Sequence, residues 1–181
     1  MSARAALRAA TAEDHERVDR LFSAFYLGRK DDYRRFLLAQ AAAFLPVEAE
    51  LDRGGAAAIV ADWESRRRGD LLRADLQELG AEAPDPIAAP PLPDAAARLG
   101  ALYVLEGSRL GGAVLKRSLS GSVPRRFLTA AQHPGSWRKL LENLDMFLYR
   151  SDYLEAAAGT ARRVFQNFEA GGRLYLESEC P

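Results

Sequence analysis

Apolar residues recur at three- and four-residue intervals along nearly the whole chain, and no run alternates apolar with polar residues long enough to make a strand. That spacing confines the chain to packed helices. The fold class it predicts is all-α, a bundle of roughly seven to nine helices counting short pieces, with residues 1–181 read as one domain.

The first helical segment runs roughly from Ala3 to Phe25, with Val18, Leu21, Phe22 and Phe25 on its apolar side. Thr11 followed by Asp14 resembles a capping arrangement, so a short first helix is expected to bend into a second there. Gly28 to Asp31 reads as a turn. A long helix from Asp31 or Asp32 carries Tyr33, Phe36, Leu37, Phe44 and Leu51; Pro46 should kink it and Gly54-Gly55 should end it. Shorter pieces are expected at Ile59–Arg67 and Asp70–Leu79. The prolines at 84, 86, 90, 91 and 93 leave no room for a helix between Gly80 and Pro93. A long helix then spans about Asp94 to Leu119, and a short one Arg125–Ala131. His133 to Ser136 forms a turn, with Ser136 as N-cap of a helix from Trp137 to about Phe147. The last helix runs from near Asp152 to about Leu176, bent at Gly171-Gly172.

Charge narrows the function classes. Lys+Arg and Asp+Glu both number 25, so no net field draws in nucleic acid or an anionic membrane. No apolar stretch approaches the ~20 residues that span a bilayer, and the segment around Arg4, Arg8, Glu13 and Asp14 lacks the apolar core of a signal peptide. Cys180 is the only cysteine, which excludes an internal disulfide. A soluble, cytoplasmic protein is expected. Arg66-Arg67-Arg68 reads as a solvated face, and Cys180-Pro181 as an uninformative terminal dipeptide.

Two features carry chemistry. His15 shares a helix face with Val18, Phe22 and Phe25, and Asp19 lies one turn later, placed to accept a proton from one ring nitrogen while the other meets a metal. On spacing alone a local His–Asp hydrogen bond is the commoner meaning of such a pair. The second feature is the segment Tyr103 to Arg117, which keeps helical apolar spacing through Gly107, Gly111 and Gly112. Each glycine costs about 1 kcal/mol against alanine inside a helix, so the three weaken it by about 3 kcal/mol. A face without side chains lets a backbone approach something flat and bulky, or lets two helices pack closely. Both readings stand on spacing alone. Metal cages of the Glu-x-x-His or Cys/His kind are missing from the sequence. The glycines follow no strand, as a nucleotide loop would.

Together the two features resemble the haem oxygenase family, in its bacterial, biliverdin-producing, phytochrome-associated form. Leu7-Arg8-Ala9-Ala10-Thr11-Ala12-Glu13-Asp14-His15 resembles that family's proximal-helix signature, and Leu105-Glu106-Gly107-Ser108-Arg109-Leu110-Gly111-Gly112 its distal helix. Asn167 looks like a recurrent asparagine of the final helix. The resemblance implies that His15 is the axial ligand to haem b (iron protoporphyrin IX), with Asp19 bonded to it. Gly107, Ser108, Gly111 and Gly112 would form the catalytic distal face. Arg8, Lys116, Arg117 and Arg138, with Lys139, are the implied propionate anchors. Haem would be both substrate and cofactor, opened by O2 to biliverdin, CO and ferrous iron. Electrons would come from a ferredoxin or flavoprotein reductase, and a bacteriophytochrome is an implied receiver of the product. The chain departs from the pattern at Ala12, where relatives carry a lysine, and at Ser108, where animal enzymes carry an aspartate that orders distal water. A haem carrier or sensor without turnover is the alternative, and a helical interaction module a third reading.

Overall fold

The computed structural model describes residues 2–119, 121–131 and 133–177; Cys180 and Pro181 lie outside them. The described residues form nine α-helices and two short 3-10 turns: α1 (Ala3–Ala10), α2 (Ala12–Phe22), α3 (Lys30–Arg53), α4 (Trp63–Arg66), α5 (Gly69–Glu78), α6 (Ala95–Leu115), α7 (Arg126–Thr129), α8 (Ser136–Phe147) and α9 (Ser151–Glu177), with the 3-10 turns at Ala56–Ala58 and Lys116–Ser118. Among the described residues no helix is long and apolar enough to cross a membrane.

The chain breaks between α1 and α2 at Thr11, as expected, but without the expected cap. The Thr11 hydroxyl donates back to the Leu7 carbonyl at 2.8 Å, and Asp14 pairs with Arg17 instead. Little of the helix expected over Ile59–Arg67 forms; the single turn of α4 is all the helix within it, after a 3-10 turn at Ala56–Ala58. Ser136 is the first residue of α8 rather than its cap. Gly135 precedes it at φ 83°, and the Ser136 hydroxyl donates to Asp62 at 2.8 Å.

Proline 46 leaves α3 continuous. Its missing N–H would have met the carbonyl of Ala42, and that carbonyl accepts instead from the Ile87 N–H at 2.8 Å. The neighbouring Ala88 carbonyl accepts from Asn167 Nδ2 of α9 at 2.9 Å. The proline-rich stretch between α5 and α6 is thus tied down at consecutive residues to two helices.

Helix α9 is the spine. It packs along α6 and α3 and also receives α2 and α1, whereas α2 and α6 scarcely touch each other. Glycine allows two of these crossings. An added Cβ at Gly100 would strike the carbonyl of Ala157, and one at Gly171 would lie 2.6 Å from the carbonyl oxygen of Ala39. Gly171-Gly172 therefore brings neighbours close, and α9 runs through it as helix. With α2 and α6 both leaning on α9, a gap opens between them, and this gap is the site.

Candidate active site

His15 lies on α2 beside the gap. Its Nδ1 is 3.1 Å from Asp19 Oδ2, one helical turn away, which leaves Nε2 as the nitrogen available to a ligand. The ring meets Phe165 of α9 edge to face, with centroids 5.6 Å apart. The imidazole is 59% exposed and lines a cavity of about 530 Å³, within the ~300–1,000 Å³ of pockets that hold cofactors. Val18, Phe22, Phe36, Phe165 and Phe168 give this cavity its apolar wall.

Helix α6 supplies the facing wall through Gly107, Ser108, Leu110, Gly111 and Gly112. An added Cβ at Gly107 or Gly111 would meet nothing within 4 Å, whereas one at Gly112 would lie 3.3 Å from the carbonyl oxygen of Leu128. Helix packing therefore accounts for Gly112, and for Gly100 one stretch earlier, but not for Gly107 and Gly111. Those two present bare backbone to the cavity.

Ser108 is tied to a residue that the sequence misrepresents. The run Arg66-Arg67-Arg68 is not a solvated face: Arg66 and Arg68 are each only 3% exposed. Besides Asp62, four residues before Arg66, the hydrogen-bond partners of these two side chains lie 37 to 70 residues away on α6 and α8, beyond the reach of any local pattern. Arg68 Nη2 donates to Ser108 Oγ and to the Leu105 carbonyl, both at 2.7 Å, and the Ser108 hydroxyl itself donates to that carbonyl at 2.7 Å. The Arg68 guanidinium lies 4.9 Å from the ring centre of Phe44 and 4.8 Å from that of Phe127. Its Nε–H has no partner among the described residues, and the side chain lines the cavity. Burial, then the like charge of Arg109, lowers its pKa from the ordinary arginine value, against the pull of Glu106 and Glu48. Glu48 in turn holds the start of α5, accepting from the N–H of Arg68 at 2.7 Å and of Gly69 at 2.8 Å.

The implied propionate anchors separate into two groups. Arg8 lines the cavity, as does Arg4, which the sequence did not single out; Arg4 lies 5.9 Å from the ring centre of Trp137. Tyr103 stacks on Trp137 nearby, and burial raises its pKa, so it stays a phenol. Lys116, Arg117, Arg138 and Lys139 are not among the described residues that line the cavity. The chain leaves α6 at Leu115 and carries Lys116 and Arg117 into an exposed 3-10 turn. Arg138 stands on the exposed face of α8, 3.6 Å from Glu142.

No protein-family model matches the chain. A haem oxygenase of Xanthomonas campestris pv. campestris (strain 8004) is 37% identical over 112 residues, covering 59% of this chain and 67% of that protein. The chain belongs to the haem oxygenase family. A haem oxygenase of Neisseria meningitidis, solved with NO and with CO bound, matches 100% of this chain and 97% of its own with a TM-score of 0.81 and 25% sequence identity. The all-helical architecture is the haem oxygenase fold. The site fits the family's substrate on its own terms. It joins a histidine with one nitrogen available, a facing wall that two glycines leave open, aromatic side walls and two arginines at the rim.

Proposed function

We propose that this haem oxygenase would hold haem in the gap between α2 and α6, with His15 Nε2 as the residue that would bind its iron, and that it opens the ring to biliverdin, CO and ferrous iron. One observation carries the reading: His15 and the bare backbone of Gly107 and Gly111 line the same cavity. Haem bound there supplies the iron at which O2 is activated and the carbon skeleton that is cut.

The protein's contribution is orientation. Asp19 fixes the tautomer of His15 and makes the ring a better donor, and Phe165 holds its plane. Arg4 and Arg8, both lining the cavity, are the cations that would take the propionates. Gly107 and Gly111 leave α6 backbone bare on the cavity side, where it would let a flat ring approach closely and exclude bulk water. Ser108 stands where a carboxylate would order water. Its single hydrogen goes to Leu105 and one lone pair takes the Arg68 N–H, so one lone pair remains to accept from a distal water. Arg68 keeps positive charge behind that water. Haem does not carry enough electrons for its own ring opening; a ferredoxin or flavoprotein reductase is the donor class that fits, and a bacteriophytochrome fits as receiver of the product.

The test is a titration with ferric haem followed by turnover. A Soret band of histidine-ligated haem should form, then give way, with O2 and a reductase or ascorbate, to a green tetrapyrrole and CO. Haem that binds and is reduced without ring opening would replace the enzyme with a carrier or sensor. Absence of stoichiometric binding would remove haem from this chain altogether.

A further inference from the structure

Behind the glycine wall, on the side of α6 turned away from the cavity, lies a cluster of charged residues with no direct part in the site. Glu106 immediately precedes Gly107 and is 2% exposed; Arg109 is 9% exposed. At 100° per residue these two share one face, while Gly107 and Gly111 share the opposite one. The Glu106 carboxylate lies between two guanidinium groups. Its Oε2 is 3.1 Å from Arg66 Nη1, and its Oε1 is 3.1 Å from Arg109 Nε.

The chain of contacts continues outward. Arg66 Nε donates to Asp62 at 2.8 Å, and its Nη2 donates to the carbonyl of Ser136 at 2.8 Å. The Ser136 hydroxyl returns to the same Asp62 carboxylate at 2.8 Å. Arg109 donates to the backbone carbonyl of Arg66 and, at 3.3 Å, to that of Ala130. Three separate pieces of chain therefore meet on α6: α4, the segment after α7 and the start of α8.

Such a cluster is a poor way to gain stability. Desolvating two ions costs several kcal/mol each, and apolar side chains of the same volume commonly do as well or better. What ion pairs and forked hydrogen bonds add is direction. Direction is what this part of α6 lacks, since glycines at 107, 111 and 112 weaken the helix by about 3 kcal/mol and two of them touch nothing on the cavity side.

We propose that the network of buried Glu106, Arg66 and Arg109 with half-buried Asp62 sets the position of the glycine segment over the cavity, and so decides which edge of a planar substrate the distal backbone covers. Glu106 is the central positioning residue. Being bonded from both sides, it fixes the rotation of α6 about its axis as well as its height. The inference rests on the proposed haem chemistry for its consequence, though not for its geometry.

Two readouts separate those parts. In the haem-free protein, Glu106→Gln should raise amide hydrogen exchange at residues 107–112 by about tenfold, with α3 and α9 unchanged. In the haem complex the same variant should keep the His15 axial signature but yield a mixture of biliverdin isomers where the unaltered protein gives a narrower set. Arg109→Lys, which keeps the charge and loses the fork, should fall between. Should Glu106→Gln fail to fold, Ser136→Ala loosens the outer end of the network alone and should shift exchange in the same direction. Unchanged exchange at 107–112 together with an unchanged isomer pattern in a folded Glu106→Gln protein would overturn the proposal. Failure of the unaltered protein to bind haem would remove the proposed function while leaving the exchange result to judge the network.

Discussion

Arg68 Nη2 and Ser108 Oγ are 2.7 Å apart, joining the start of α5 to the middle of the glycine segment in α6. The contact makes Ser108 an acceptor on the side where it would otherwise be a bare hydroxyl, and puts a buried cation in the cavity lining beside the glycine segment. Removing the hydroxyl removes the group left to hold a distal water. Ser108→Ala should therefore bind haem normally and slow ring opening on the order of tenfold, as expected for one lost hydrogen bond of about 1–1.5 kcal/mol. Arg68→Gln should be more severe in turnover and should also lower stability, since it takes the guanidinium from the Leu105 carbonyl and one of two nearby cations from Glu48. Single-turnover kinetics beside denaturant titration of both variants distinguish the two losses. Equal turnover in Ser108→Ala and the unaltered protein would take Ser108 out of the distal chemistry.

His15→Ala should abolish the histidine-type Soret spectrum and turnover, because His133, the other histidine, stands in an exposed turn after α7. Asp19→Asn should be milder, since an amide oxygen still accepts from Nδ1. A lower iron–histidine stretching frequency in resonance Raman spectra checks the contact directly. An identical frequency would show that Asp19 does not bear on the imidazole.

The glycines of α6 should divide by function. Gly111→Leu places its side chain in open cavity, so stability should hold or rise by about 1 kcal/mol while haem affinity falls sharply. Gly100→Ala should do the reverse. Its Cβ meets the backbone of Ala157, with no side chain to move aside, so it should cost about 1–3 kcal/mol or more in denaturant unfolding. Normal haem binding by Gly111→Leu would make that glycine a packing residue after all.

Asp62 supplies a pH signature for the network behind α6. Burial works against its charge, but hydrogen bonds from Arg66 and Ser136 and the charge of Arg66 outweigh this and hold its pKa below the usual carboxylate value. A carboxylate whose pKa is lowered by folding adds stability above its unfolded pKa and loses it as pH falls through its folded value. Asp62→Asn should thus cost about 1–3 kcal/mol at pH 7, and the difference should vanish in acid below the ordinary aspartate range. Urea unfolding from pH 7 down to pH 2.5 measures it; a constant difference across that range would contradict the assignment.

Much of this was legible in the residues, for physical reasons that also mark where legibility stops. Helical period placed the long helices, and the four-residue spacing of His15 and Asp19 placed a contact that the structure contains. Local pattern could not tell that Gly107 and Gly111 face open space while Gly100 faces a backbone, because that depends on what another helix does. The same limit hid Arg66 and Arg68. Three consecutive arginines carry every local mark of a wet surface, and the partners that help hold two of them inward, Glu106 and Ser136 for Arg66 and Leu105 and Ser108 for Arg68, lie far along the chain. Lys116 and Arg117 show the limit from another side: their helical register continues the glycine segment, but α6 ends at Leu115 and a 3-10 turn carries them on, which the residues alone do not foretell.

Pro46 deprives α3 of one hydrogen bond, and the vacated carbonyl at Ala42 is where the chain's longest irregular stretch takes hold. One residue later the same stretch is gripped from the far side by Asn167. The connection between the half of the chain that brings His15 and the half that brings the glycines therefore acts as a clasp, closed on both halves at a single dipeptide. Restoring the missing amide, as Pro46→Ala would, gives the helix a rival claim on that carbonyl. Mending a helix in this fold thus threatens to unfasten its two halves.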